Sequence, residues 1–209
     1  MKHIGLLIPS SNIVAERELY TRLIKDEIPD VAFHFARLKF RTPYGINEEK
    51  YTQELVNSIP ETLKELERIN VQKTAVLCTS AEIYVQHNNT LMFPLSSVVS
   101  YFKSLNRSHP IVITPYNTNI GDKIIHKLKS EKINVVKEIH LNIKTKEELM
   151  NFSNLKLIDL IVNQLDKNID SICVLCTNFE TYHIENQLET TFQIPFISSN
   201  KAIYYDLIK

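Results

Sequence analysis

The chain has 209 residues, 44% hydrophobic and 23% charged, with 24 Lys plus Arg against 24 Asp plus Glu. That length and mix suit a soluble globular protein with a core of its own, and a balanced charge leaves no field to gather nucleic acid or an anionic membrane. Only three Gly, with no G-x-x-x-x-G-K-S/T and no G-x-G-x-x-G string, argue against a nucleotide phosphate loop, and three Cys, an odd number, make no disulfide framework.

The N-terminal "MKHIGLLIPSSN" carries an apolar run about half as long as a signal peptide requires, and no later stretch approaches the roughly 20 apolar residues of a membrane span. A reducing, cytoplasmic compartment is expected. Cys173 and Cys176 have no second pair of ligands at zinc spacing, so neither metal nor cofactor is expected.

In chain order, short β-branched runs predict strands over 3–8, 31–37, 74–77, 111–114, 135–141, 171–175 and 196–198. Between them lie helical stripes. Leu55, Ile59, Leu63, Leu66 and Ile69 form one, with Ser58 and Glu61 resembling a capping box beside Pro60. Ile120, Ile124 and Leu128 form a second; Leu157, Ile161 and Leu165 form a third. Strand and helix in alternation predict parallel sheets with helices on their faces.

The chain repeats itself. "VLCTSAEIY" at 76–84 returns as "VLCTNFETY" at 174–182, "IPSSN" at 8–12 has a partner in "TPYN" at 114–117, and "FPLSS" at 93–97 has one in "IPFISSN" at 194–200. Two pseudo-symmetric α/β lobes are expected, 1–106 and 107–209, with the C-terminal helix free to pack back on the first. Ligands of open parallel sheets bind beyond the carboxyl ends of the strands, where both Cys-Thr pairs and both proline turns sit. If the lobes face each other, Cys78 and Cys176 flank one cleft.

Both thiols precede expected helix starts, which would lower their pKa from about 8.5 and leave them partly ionised near neutrality. Thr79 and Thr177 are available as donors or caps. Two opposed thiols can move a proton, or add to an activated double bond, on the two faces of a small carboxylic acid. The developing charge needs donors, and Asn12, Thr79, Ser80, Tyr116, Thr177 and Asn178 are neutral and short. Asn12 serves equally well as a helix cap. Cys173 reads as core, Arg37 as a surface ion pair, and His87, His126 and His183 as solvated.

"GLLIPSSNIVAERE", "AVLCTSAE", "VITPYN", "VLCTNFETYHIENQLE" and "IPFISSNKAIYYDL" together resemble the Asp/Glu racemase superfamily, in its maleate cis-trans isomerase and arylmalonate decarboxylase branch. The resemblance implies a cofactor-independent isomerase or racemase, with Cys78 adding to the substrate carbon and Cys176 managing the proton. It further implies carboxylate oxygens on Asn12 and Tyr116, donors at Thr79 and Ser80, and a homodimer. The alternatives are decarboxylation by Cys176 alone and a two-lobed binding protein for small acids. Two departures bear on the substrate. Glu82 stands beside Ala81, where the family has small residues, and would repel a second carboxylate unless it turns away. Lys146 falls where the family places an Asn.

Overall fold

The structure, a computed structural model, describes all residues except 44, 46 and 86–89, so His87 lies outside the described residues. The first half runs β1 (Lys2–Pro9), α1 (Ala15–Lys25), β2 (Val31–Leu38), α2 (Glu48–Glu67), β3 (Lys73–Val76), a 3-10 turn (Ser80–Ile83), β4 (Leu91–Met92) and α3 (Pro94–Ser104). The second runs β5 (Pro110–Thr114), α4 (Thr118–Ser130), β6 (Lys137–His140), α5 (Lys146–Met150), α6 (Asn154–Val162), β7 (Ser171–Val174), α7 (Tyr182–Phe192), β8 (Phe196–Ser198) and α8 (Ser199–Ile208).

The strands form two parallel four-stranded sheets, β2-β1-β3-β4 and β6-β5-β7-β8, so the halves have the same topology. Leu6 lies opposite Phe35 and Ala75; Ile113 lies opposite Ile139 and Val174. In each sheet the chain leaves the central strand for one neighbour and then crosses to the other side. The switch points therefore fall between β1 and β3 and between β5 and β7, where a crevice opens beyond the strand ends.

Both faces of each sheet are covered. Ile4, Leu6 and Ile8 of β1 pack with Leu19 and Leu23 of α1 and with Ile203, Tyr204 and Leu207 of α8. Leu7 and Val76 pack with Tyr51, Leu55, Ile59 and Leu66 of α2. Helix α3 sends Leu95, Val98, Val99 and Phe102 into the core built on Ile111, Ile113 and Ile172 of the second sheet. The last helix of each half is thus buried against the other half, which joins the two by apolar surface.

Three local expectations change. Helix α2 is one continuous helix capped by Asn47, whose Oδ1 accepts from Lys50 N at 2.9 Å; Ser58 is interior. Ser58 Oγ donates to Leu55 O at 2.8 Å, and Pro60 is carried inside the helix. The loss of one N–H is outweighed by the buried stripe that continues through it to Leu66. Strand β4 has only two residues, too few to show a period. The third stripe stops short of Leu165, because α6 ends at Val162 with Asn163 as its C-cap.

Candidate active site

The turn after β1 is closed by Asn12 N donating to Pro9 O at 2.8 Å. The Asn12 side chain does two jobs. Its Oδ1 accepts from Val14 N and Ala15 N, both at 3.0 Å, which caps α1, while its Nδ2 donates to Thr177 Oγ1 at 3.0 Å. Arg37 holds the same turn from outside, donating to Asn12 O at 2.9 Å and pairing with Glu16.

Opposite lies the turn after β7. Thr177 Oγ1 donates to Leu77 O at 2.8 Å, and Asn178 Oδ1 accepts from Ile13 N at 3.0 Å. Asn200 of α8 donates to Thr177 O at 3.1 Å and to Glu18 Oε2 at 2.9 Å. Glu18 is 2% exposed, and its Oε1 accepts from Thr181 N at 2.8 Å and Tyr182 N at 3.0 Å. An acid from α1 therefore caps α7 of the other half, a favourable place for negative charge. Arg22 pairs with Glu185 beside it.

These turns enclose a cavity of about 30 Å³ lined by Pro9, Ser11, Asn12, Tyr51, Cys78, Ser80, Tyr116, Cys176, Thr177 and Asn178. Cys78, Cys176, Asn12, Ser80, Tyr116, Thr177 and Asn178 are brought together as the sequence repeat suggested. Thr79 is not: its Oγ1 bonds Ser199 Oγ at 2.9 Å, and its side chain is fully buried away from the cavity. At that volume the cavity has room for about two waters, so a small acid requires it to widen.

The thiols also depart from expectation. Cys78 precedes only a single 3-10 turn, and α7 begins well beyond Cys176, so neither thiol sits at a helix N-terminus. Both are buried, at 6% and 8% exposure. Burial pushes the Cys78 thiol up, against the Ser80 hydroxyl and the N–H groups of Ala81 and Ser80. Burial pushes Cys176 up to about 12, against the N–H of Asn178 and the hydroxyl of Tyr116. Desolvation wins, and both thiols are protonated in the closed cavity. Cys173, inside β7, is fully buried in the second core, and burial alone raises it.

The two departures resolve differently. Glu82 turns away from the cavity: its Oε2 accepts from Ser96 N at 2.9 Å, and its Oε1 from Ser96 Oγ, at the first turn of α3. Two residues beyond β6 stands Asn142, which lines a groove with Leu141, Glu148 and Phe152 and not the thiol cavity, while Lys146 begins α5. Asn142 has φ +52°, a conformation Asn tolerates, and its N–H donates to Tyr116 O at 3.2 Å. The long run 135–141 had hidden it, because β6 stops at His140.

Two acidic or phenolic groups were missed. Tyr51 Oη bonds Ser11 Oγ at 3.1 Å over the cavity, and Glu48, 6% exposed, accepts from Asn117 N at 3.3 Å. Burial raises the Glu48 carboxyl. Placing the start of α2 at Ser58 concealed both; Asn47 followed by Glu48 was the available signal. Among the described residues, no group of three His, Cys, Asp or Glu side chains is placed to hold a metal ion.

Comparison with known proteins places this geometry in context. The family model for arylmalonate decarboxylase matches residues 28–209. Maleate isomerase of Nocardia farcinica is 20% identical, covering 100% of this chain and 90% of that protein. A cysteine-to-alanine variant of maleate isomerase Iso from Pseudomonas putida, crystallised with maleate, superposes with a TM-score of 0.88 at 17% identity, over 99% of this chain and 90% of that one. A Nocardia farcinica maleate cis-trans isomerase variant with a covalently bound succinylcysteine intermediate gives 0.86 at 16% identity, over 99% and 91%. Arylmalonate decarboxylase gives 0.73 at 17% identity, over 99% and 91%.

Proposed function

This chain belongs to the arylmalonate decarboxylase family, and from that premise we propose that it is a cofactor-independent isomerase or racemase of a small carboxylic acid that works through two opposed cysteines. The observation that carries the reading is that Cys78 and Cys176, from equivalent turns of the two halves, line one cavity whose other polar lining groups, among the described residues, are uncharged. The cysteine adduct held by the Nocardia relative supports a sulfur–carbon bond as the intermediate.

For a cis-trans isomerisation the steps balance without a co-reactant. The open site gives Cys78 access to water, where its proton leaves; Ser80 Oγ, 3.5 Å from Cys78 Sγ, steadies the thiolate. The thiolate bonds one alkene carbon, the π pair moves to the adjacent carbon and its carboxylate, and the Cys176 S–H gives that carbon a proton. The new single bond rotates. Cys176 then takes a proton back, the C–S bond breaks and the trans double bond forms. Tyr116, Asn178 and the N–H groups of the turns face the charge that builds on the carboxylate, and donors of that kind typically contribute about 2.7–4 kcal/mol each. In a racemisation the same two sulfurs remove and return one α-proton on opposite faces.

The family model favours a second reading, decarboxylation of a disubstituted malonate by Cys176 alone. The test is turnover of Cys78→Ala and Cys176→Ala, followed by ¹H NMR in D₂O with unsaturated and saturated small acids. Loss of isomerisation or α-proton exchange in both variants is expected. Full activity in either one removes that thiol from the mechanism, and CO₂ release that survives Cys78→Ala supports the decarboxylase.

A further inference from the structure

Glu48 is the first residue of α2 and shares its buried face with Tyr51 and Thr52, one turn on. Tyr51 lines the cavity; Thr52 Oγ1 is 3.4 Å from Ser80 Oγ, another lining group. From the other side, Glu48 Oε2 accepts from the N–H of Asn117, the residue after the cavity-lining Tyr116. The carboxyl thus lies between the two halves, directly behind the lining residues Tyr51, Ser80 and Tyr116, and close enough for its charge to act on Cys176. Its other oxygen, Oε1, is buried and, among the described residues, has no hydrogen-bond partner.

A buried acceptor without a donor is costly, and helix packing does not require one there. Among the described residues, none that lines the cavity is cationic. The charge of Lys144 reaches Glu48, but its Nζ is engaged with Asn142 Oδ1, and no ion pair of Glu48 is found among the described residues. An acid therefore stands behind the cavity wall, supplied by Glu48 and not by Glu82.

We infer that Glu48 is the specificity-determining residue of this cavity, and that its unpartnered Oε1 selects small monocarboxylic acids carrying a hydrogen-bond donor, above all an ammonium group, where a dicarboxylate carries its second carboxylate. The inference rests on the reading above that the cavity holds a small acid. The carboxylate of the ligand goes to the neutral donors beside the thiols, and the donor at its far end satisfies Oε1. A second carboxylate at that place meets a buried acid with no cation between them.

The test is calorimetric binding of two saturated acids, succinate and 4-aminobutanoate, to the wild-type protein, Glu48→Gln and Glu48→Ala. They differ only at one end, and neither has a double bond for a thiol to attack. Wild type is expected to bind 4-aminobutanoate at least about tenfold more tightly than succinate at about pH 8, and Glu48→Gln to erase or reverse that ratio. Equal affinities or a preference for succinate in wild type overturns the inference, and so does an unchanged ratio in the variants. If wild type binds neither acid, the small-acid reading falls with it. A preference for succinate leaves that reading standing and removes only the role of Glu48.

Discussion

The hydroxyl of Thr177 accepts from Asn12 Nδ2 at 3.0 Å and donates to Leu77 O at 2.8 Å, so one buried group ties the ends of β1, β3 and β7 together. Thr177→Val keeps the shape but strands both partners, and should cost about 2–3 kcal/mol in urea unfolding; Thr177→Ser should cost less than about 1 kcal/mol. Asn12→Ala removes the α1 cap as well as this bond, and about 1–2 kcal/mol with a turnover loss of at least about tenfold is expected. Equal stability of the Val and Ser variants would show that the hydroxyl does not join the halves.

Glu18 is the corresponding tie behind the Cys176 turn. Glu18→Ala leaves Thr181 N, Tyr182 N and the Asn200 amide without their acceptor, and a loss of about 3 kcal/mol is expected. Glu18→Gln keeps an acceptor for the two backbone groups but sets an NH₂ against Asn200 Nδ2. A flipped Asn200 would relieve that clash only by losing its bond to Thr177 O, so the variant should lose less than Glu18→Ala without reaching wild-type stability. The two midpoints, measured side by side, check the ordering.

All three cysteines have thiols raised by burial. The unfolded chain ionises near about 8.5 and the folded one only at higher pH, so the folded state holds more protons in between. Their contribution to stability is full below the unfolded value and is lost as pH rises through the folded values, reaching about 12 for Cys176. Melting temperatures should fall steadily over this alkaline window, and less steeply in Cys176→Ser. Alkylation of Cys176 by iodoacetamide at neutral pH should be far slower than that of a free thiol. Rapid labelling would contradict the closed, protonated state.

Glu82 caps α3 without touching the cavity. Glu82→Ala should lower stability by about 1 kcal/mol and leave kcat and KM of the folded protein within about twofold. A large change in KM would mean that this side chain turns inward after all.

Gly121 lies where a Cβ would come within 2.2 Å of the His140 imidazole. In Gly121→Ala, either the His140 ring or α4 must shift, at a cost of about 1–3 kcal/mol. His140→Ala makes room, and the double variant should recover part of that loss. Additive losses would rule out the contact.

Every strand but β4, three of the helices, the two-fold repeat and the paired Cys-Thr turns could be read from the chain alone, because β-branched runs, apolar stripes and repeated strings are local records of burial. Their meeting at one cavity depended on the facing of two sheets, which no local pattern states. Three things were decided only by tertiary contact. Thr79 is drawn off by Ser199, Glu82 by the first turn of α3, and the thiols are desolvated by closure, which outweighs what short turns can offer them. Glu48 illustrates the same limit from the other direction. By sequence it is one acid among several at a helix start, where solvent exposure is the ordinary fate. Its hydrogen bond to Asn117 of the second half, which no local pattern announces, accompanies its removal from water.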